Sequence, residues 1–339
     1  MAPTNTSLYS RLKSYYTGEK AEPVKPPLTT YGAVALLVLY TLVYVLPFYI
    51  SRTTRPSPQL SRDAPSVIKG RIASVTISCI ICSLTTFVIL YSVVQNGTPM
   101  QVLHNLGWFP VGVEESVKAV VLTTILFLGP LFEAGIVEGG WMKWIRLGSL
   151  NATISGWIGY RNYVAGPITE EILFRSASVP LLLLSNTSNT TIVFLTPIIF
   201  GLAHVHHFYE YRITHPHTPI VGALARSFFQ LAYTSMFGSY ATFLYLRTGS
   251  LLAVVLTHAF CNWMGLPRFW GRVTRGTDDI MGQELGGGKR SEDGVKNAAD
   301  GSLGITWTIV YYILLVAGLY GWTQMLFELT ESPSALATF

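Results

Sequence analysis

Two carboxylates and a guanidinium interrupt an apolar stretch: Glu170, Glu171 and Arg175 fall within GPITEEILFRS, residues 166–176. A charge at the centre of a bilayer costs about 2.5–3.5 kcal/mol on insertion scales, so such groups are retained for pairing or for chemistry. Glu171 and Arg175 are four residues apart, share a helical face and can form a structural ion pair. Glu170 points about 100° away around the helix, over Phe174, and needs a partner from elsewhere. Few intramembrane polar groups are on offer. FGLAHVHHF (200–208) supplies His204, His206 and His207, and LTHAFCNW (256–263) supplies His258 and Asn262, four apart on one face.

These residue types allow hydrolysis. A glutamate beside a histidine can activate water as a general base. A second imidazole and a side-chain amide can donate hydrogen bonds to a developing oxyanion. Together they suffice to cleave an amide without a covalent intermediate. A thiol mechanism through Cys261, three residues from His258, is a weaker alternative, and no G-x-S-x-G elbow occurs. The tract His204–His207 with His215 and His217 contains metal-ligating types, but no H-E-x-x-H is present, and no metal ligand or other cofactor is assigned.

The elements that must position these groups are membrane helices. Half of the 339 residues are hydrophobic and only 12% are charged, against roughly 25% in soluble domains. The segment 31–50 runs 20 residues without a formal charge, enough to cross ~30 Å of hydrocarbon. It reads as a retained first span, not a cleaved leader. Further apolar stretches at 70–95, 117–137, 160–184, 190–208, 220–246, 250–265 and 303–328 bring the expected number to eight, the weakest being 250–265. The expected organisation is a polar segment at 1–30, one transmembrane domain over 31–328 and a tail at 329–339. The catalytic core falls within 160–265. Residues 271–302, rich in Gly, Asp, Lys and Ser, read as a flexible loop. Cys79 and Cys82 read as packing residues on an apolar helix. Lys and Arg gather in the loops after odd-numbered spans, which places those loops in the cytosol. The net charge of +5 is dispersed and gives no nucleic-acid surface. In that topology Glu170, His204, His258 and Asn262 all lie in the cytosolic half of the bilayer.

EEILFR (170–175), FGLAH (200–204) and HAFCN (258–262), in that order on separate helices, resemble the three motifs of the CAAX prenyl endopeptidase family. This is the Ras-converting type, related to abortive-infection intramembrane proteases. The resemblance covers about 160–265. It implies an all-α, multi-pass bundle of about eight helices around a cavity open to the cytosolic side, in the endoplasmic reticulum membrane. It implies removal of the last three residues from farnesylated or geranylgeranylated CAAX proteins, such as small GTPases. Glu170 and His204 would activate water, His258 and Asn262 would hold the oxyanion, and Glu171 and Arg175 would support the first glutamate. The family's mechanism has been argued both with and without metal. Two other readings stand beside it. One is a proton-coupled transporter using the Glu/His groups as a relay, although no internal repeat accompanies it. The other is a non-catalytic scaffold, which the modest worth of intramembrane hydrogen bonds, about 0.6 kcal/mol on average, makes costly.

Overall fold

The computed structural model describes residues 26–93, 98–146, 154–274 and 303–339, and over these the chain is a helical membrane bundle. The 1–30 segment lies largely outside the described residues, as does the loop expected at 271–302 beyond Thr274. Gly271–Thr274 pack against the last helix, where Tyr312 donates to the Gly271 carbonyl at 3.0 Å and Val273 N–H donates to Thr308 Oγ1 at 3.0 Å. The tail is tied down too. Leu336 and Ala337 N–H both donate to the Leu246 carbonyl.

Four helices are long and apolar enough to cross a membrane: Thr30–Ile50, Pro65–Val93, Asn189–Thr214 and Ile305–Met325. Val113–Leu126 and Leu128–Val137 make a fifth span if the pair, bent by 79°, is taken as one. Eight such spans were expected. The three that fall short are the segments around the candidate site. The stretch 157–184 is divided into short helical pieces and carries Arg161, Glu170, Glu171 and Arg175. Ile220–Thr248 is long enough but carries Arg226, Gln230 and a run of hydroxyl side chains. Leu251–Met264 has 14 residues, roughly 21 Å of rise against the ~30 Å of a hydrocarbon core.

The second span shows how the bundle is packed. Ile77, Ile80, Ile81, Leu84 and Val88 are exposed, whereas Ser78, Cys79, Cys82 and Thr86 are buried. This inside-out polarity suits lipid, where small and hydroxyl residues let helices approach closely. Both cysteines are free thiols and pack as expected. Thr86 donates to the Ala177 carbonyl at 2.8 Å and Cys79 to the Thr169 carbonyl at 3.2 Å, which ties this span to the motif segment on either side of the glutamates.

The motif segment is not the regular helix the spacing suggests. Two π turns, Arg161–Ala165 and Ile172–Ala177, flank Gly166–Glu171. Pro167 has no N–H to give to the carbonyl four residues back, and Gly166 N–H bonds instead to Arg161, five back. A Cβ on Gly166 would sit 2.8 Å from that carbonyl oxygen, so the turn requires glycine. After the second π turn Pro180 repeats the device, and the Ser178 hydroxyl donates to the Leu173 carbonyl at 2.7 Å. Single-turn π bulges inside helices concentrate at functional sites because they re-aim side chains.

Candidate active site

The π-flanked helix Gly166–Glu171 packs on Leu251–Met264, and this contact brings the glutamates to His258. His258 Nδ1 lies 2.6 Å from Glu171 Oε1, and Nε2 of the same ring lies 3.9 Å from Glu170 Oε2. One imidazole therefore bridges both carboxylates. Ser250 caps the helix that carries it, accepting from Ala253 N–H at 3.1 Å, and thereby fixes where His258 falls.

The two glutamates divide their surroundings. Glu171 is completely buried, while a quarter of the Glu170 side chain is exposed. Arg175, equally buried, donates through Nη1 to Glu171 at 3.2 Å and through Nη2 to the Gly238 carbonyl at 3.3 Å. Its guanidinium lies over the Phe200 ring, 4.9 Å from the centroid. The expected Glu171–Arg175 pair is present. Its extension to His258 was not expected. Both carboxylates, adjacent on the α-helical piece Gly166–Glu171 between the two π turns, face the one ring.

His204 marks a break. Pro197 weakens the helix Asn189–Ala203, which ends at His204 (φ −84°, ψ −9°) before Val205–Thr214 begins. His204 Nδ1 is 3.0 Å from the Phe200 carbonyl. A carbonyl only accepts, so Nδ1 carries the proton and Nε2 keeps its lone pair. By the same logic His258 Nδ1 donates to Glu171. No direct hydrogen bond joins Glu170 to His204, but His204 lies within electrostatic reach of His258 and Arg175. Asn262, one turn beyond His258, is exposed, and its Nδ2 donates to the Asn162 carbonyl on the first π turn at 2.9 Å. An amide nitrogen carries two hydrogens, and this bond uses one.

Three neighbours had no place in the sequence reading. The ring of Phe237 lies tilted by 52° to that of His258, with centroids 4.6 Å apart. Tyr44 bonds Thr169 at 3.3 Å, beside Glu170. Asn162 is the third; a polar Arg-Asn pair just before the motif was the only available signal for it. Cys261 forms no hydrogen bond to any of the histidines among the described residues.

Among the described residues, the set of three groups close enough to hold one metal ion is His206, His207 and Glu210, with ligating atoms within 4.8 Å of one another. Neither Glu170 nor His204 belongs to it. Arg71 already holds Glu210 at 2.7 Å and Arg62 stands 4.0 Å away, two positive charges that oppose a cation there. His215 stacks on Tyr211 with centroids 4.4 Å apart, at the end of the same helix.

A family model described as type II CAAX prenyl endopeptidase Rce1-like matches residues 152–264, the stretch that holds Glu170, Glu171, Arg175, His204, His258 and Asn262. The chain is similar to the probable CAAX prenyl protease 2 of Schizosaccharomyces pombe, 35% identical over 234 residues that cover 69% of this chain and 81% of that protein. It is also similar to the CAAX prenyl protease 2 of Arabidopsis thaliana, 32% identical over 255 residues, covering 69% and 80% respectively. No solved structure matches the chain.

Proposed function

Since this chain belongs to the type II CAAX prenyl endopeptidase family, we propose that it hydrolyses prenylated CAAX proteins with the Glu170–His258 centre. It is a peptide hydrolase that removes the aaX tripeptide from a lipid-modified C-terminus; the transporter alternative gains nothing from the relatives. Among its substrates we place small GTPases, and its seat is the endoplasmic reticulum membrane with the site open to the cytosol. The basic loop after the first span and Arg161 gather at one end of the bundle, which favours a cytosolic position for that end. We count the broken stretch 157–184, the polar helix Ile220–Thr248 and the short helix Leu251–Met264 with the five apolar spans as a set of eight around the site. A prenyl chain prefers hydrocarbon by roughly 0.8 kcal/mol per CH₂, while the tripeptide needs water, and a site in the cytosolic half of the bilayer serves both.

The observation that carries the mechanism is the His258 ring shared between two unlike glutamates. Glu170, the accessible one, takes a proton from water, and the water oxygen attacks the carbonyl of the prenylated cysteine. His204, with Nε2 unprotonated, holds that water from the other side. The oxyanion accepts from His258 Nε2–H and from the second Asn262 amide hydrogen. In this scheme His258 carries a proton on both ring nitrogens throughout; before attack Glu170 and Glu171 balance His258 and Arg175, and once Glu170 holds the water proton the oxyanion replaces it in the sum, which spares the bilayer a net charge. As the C–N bond breaks, Glu170 returns its proton to the leaving amine. The reaction needs no metal, because the groups nearest the carbonyl supply both base and donors.

The test is tripeptide release from a farnesylated peptide by purified protein. Glu170→Ala and His204→Ala should each abolish release while keeping the thermal transition of the parent. Full activity in either variant overturns the assignment.

A further inference from the structure

The loop between the first two spans returns to the motif segment, where Arg161 Nη1 contacts Asp63 Oδ1 at 2.8 Å and the Arg62 carbonyl at 3.4 Å. Three arginines, Arg62, Arg71 and Arg161, gather here against two carboxylates, Asp63 and Glu210. Arg161 takes Asp63. Arg71 takes Glu210 at 2.7 Å and the Thr54 carbonyl besides. Arg62 is left with a 4.0 Å approach to the Glu210 oxygen that also faces His207 at 3.4 Å. Its Nε is buried and has no hydrogen-bond partner. A guanidinium offers five N–H donors in a planar fork that fits one carboxylate. The cluster is therefore one anion short, and the shortfall sits on Arg62.

The place of this cation relative to the candidate site is defined from two directions. The Tyr233 hydroxyl is within electrostatic reach of both Glu170 and Arg62. From the other side, the His204 and His207 rings are 5.6 Å apart, and His207 contacts Glu210, which contacts Arg62. Arg161, at the level of Arg62, precedes Glu170 by nine residues, a rise of roughly 13 Å. Three extended residues span at most about 10–11 Å, and the arginine side chain covers the difference.

We propose that Arg62 receives the free C-terminal carboxylate of the peptide substrate and so fixes how many residues are released. This rests on the peptidase reading above. The carboxylate completes the Arg62 fork, and the three residues between it and Glu170 lie extended along the motif segment. Arg71 and His207 hold Glu210 away from Arg62, which leaves that guanidinium without a close anion until substrate arrives.

The experiment compares a farnesylated peptide ending in a free acid with the same peptide ending in an amide. The parent protein should favour the acid by about tenfold or more in kcat/KM, chiefly through KM, as expected for loss of a charge-assisted bidentate contact. Arg62→Gln should lose that preference by slowing only on the acid, and Arg62→Lys should keep part of it. Equal cleavage of acid and amide by the parent protein, or an undiminished preference in Arg62→Gln, overturns the proposal. The parent comparison stands if Arg62→Gln fails to fold. A parent protein that cleaves neither peptide overturns the peptidase reading itself, an outcome distinct from cleavage without preference.

Discussion

His258 is held by Glu171, with Nδ1 and Oε1 2.6 Å apart in a fully buried contact. The bond keeps a proton on Nδ1 and aims the opposite ring nitrogen at Glu170. In the proposed mechanism Glu171 acts through the histidine, because its own side chain is fully buried.

Replacing that carboxylate by its neutral isostere tests the relationship. Glu171→Gln keeps the shape but offers an amide NH₂ to Nδ1 and removes the charge that balances a doubly protonated ring. We expect kcat to fall by about 10²–10³, in line with loss of one oxyanion donor, while KM for the farnesylated peptide stays near the parent value. A variant that loses affinity and keeps kcat would assign Glu171 to substrate binding.

Arg175 is the second test, read through stability. It is 1% exposed, and removing one partner of a buried ion pair costs about 3–5 kcal/mol, because a charge is left uncompensated. Arg175→Met should lower the thermal transition sharply in detergent. Adding Glu171→Leu should recover a large part of the loss, since the stranded charge disappears. The coupling in this double-mutant cycle is the quantity to measure, and additive losses would show that the two residues do not act as a pair.

Chelation addresses the proposed metal-free chemistry. Tripeptide release should proceed at an unchanged rate after treatment with EDTA or phenanthroline. His206→Ala, which disrupts the closest metal-like grouping, should leave that insensitivity in place. Loss of activity on chelation, restored by one added divalent ion, would overturn the water-activation scheme.

Much of the site was legible because apolar surroundings make polar residues conspicuous. Glu170, Glu171, Arg175, His204, His258 and Asn262 stand out for their cost in lipid, and the i, i+4 spacing of Glu171 and Arg175 gave a pair that the structure contains. What escaped reading depends on departures from a regular helix. Gly166, Pro167 and Pro180 were in plain view, yet a period of 3.6 cannot say that the turns beside them widen, nor that Glu171 meets His258 from another helix. The same assumption made 160–184 an unbroken span. Contacts such as Arg71 with Glu210 join residues 139 apart, and nothing local records them. Asn262 was placed on the right helix, but its bond to Asn162 depends on the π turn that presents that carbonyl.

The helix that bears His258 and Asn262 ends after 14 residues at Met264, with Gly265 breaking it at φ +69°. It therefore falls about 9 Å short of a full hydrocarbon crossing. Where lipid borders a helix this short, the hydrocarbon layer must thin to match it or the polar end of the helix must stand among acyl chains. On the proposed orientation, thinning of that kind would lower the headgroup plane toward His258, and an anchored isoprenoid would reach the depth of the reacting bond without leaving its monolayer. The brevity of one helix would then make local membrane thinness part of substrate delivery.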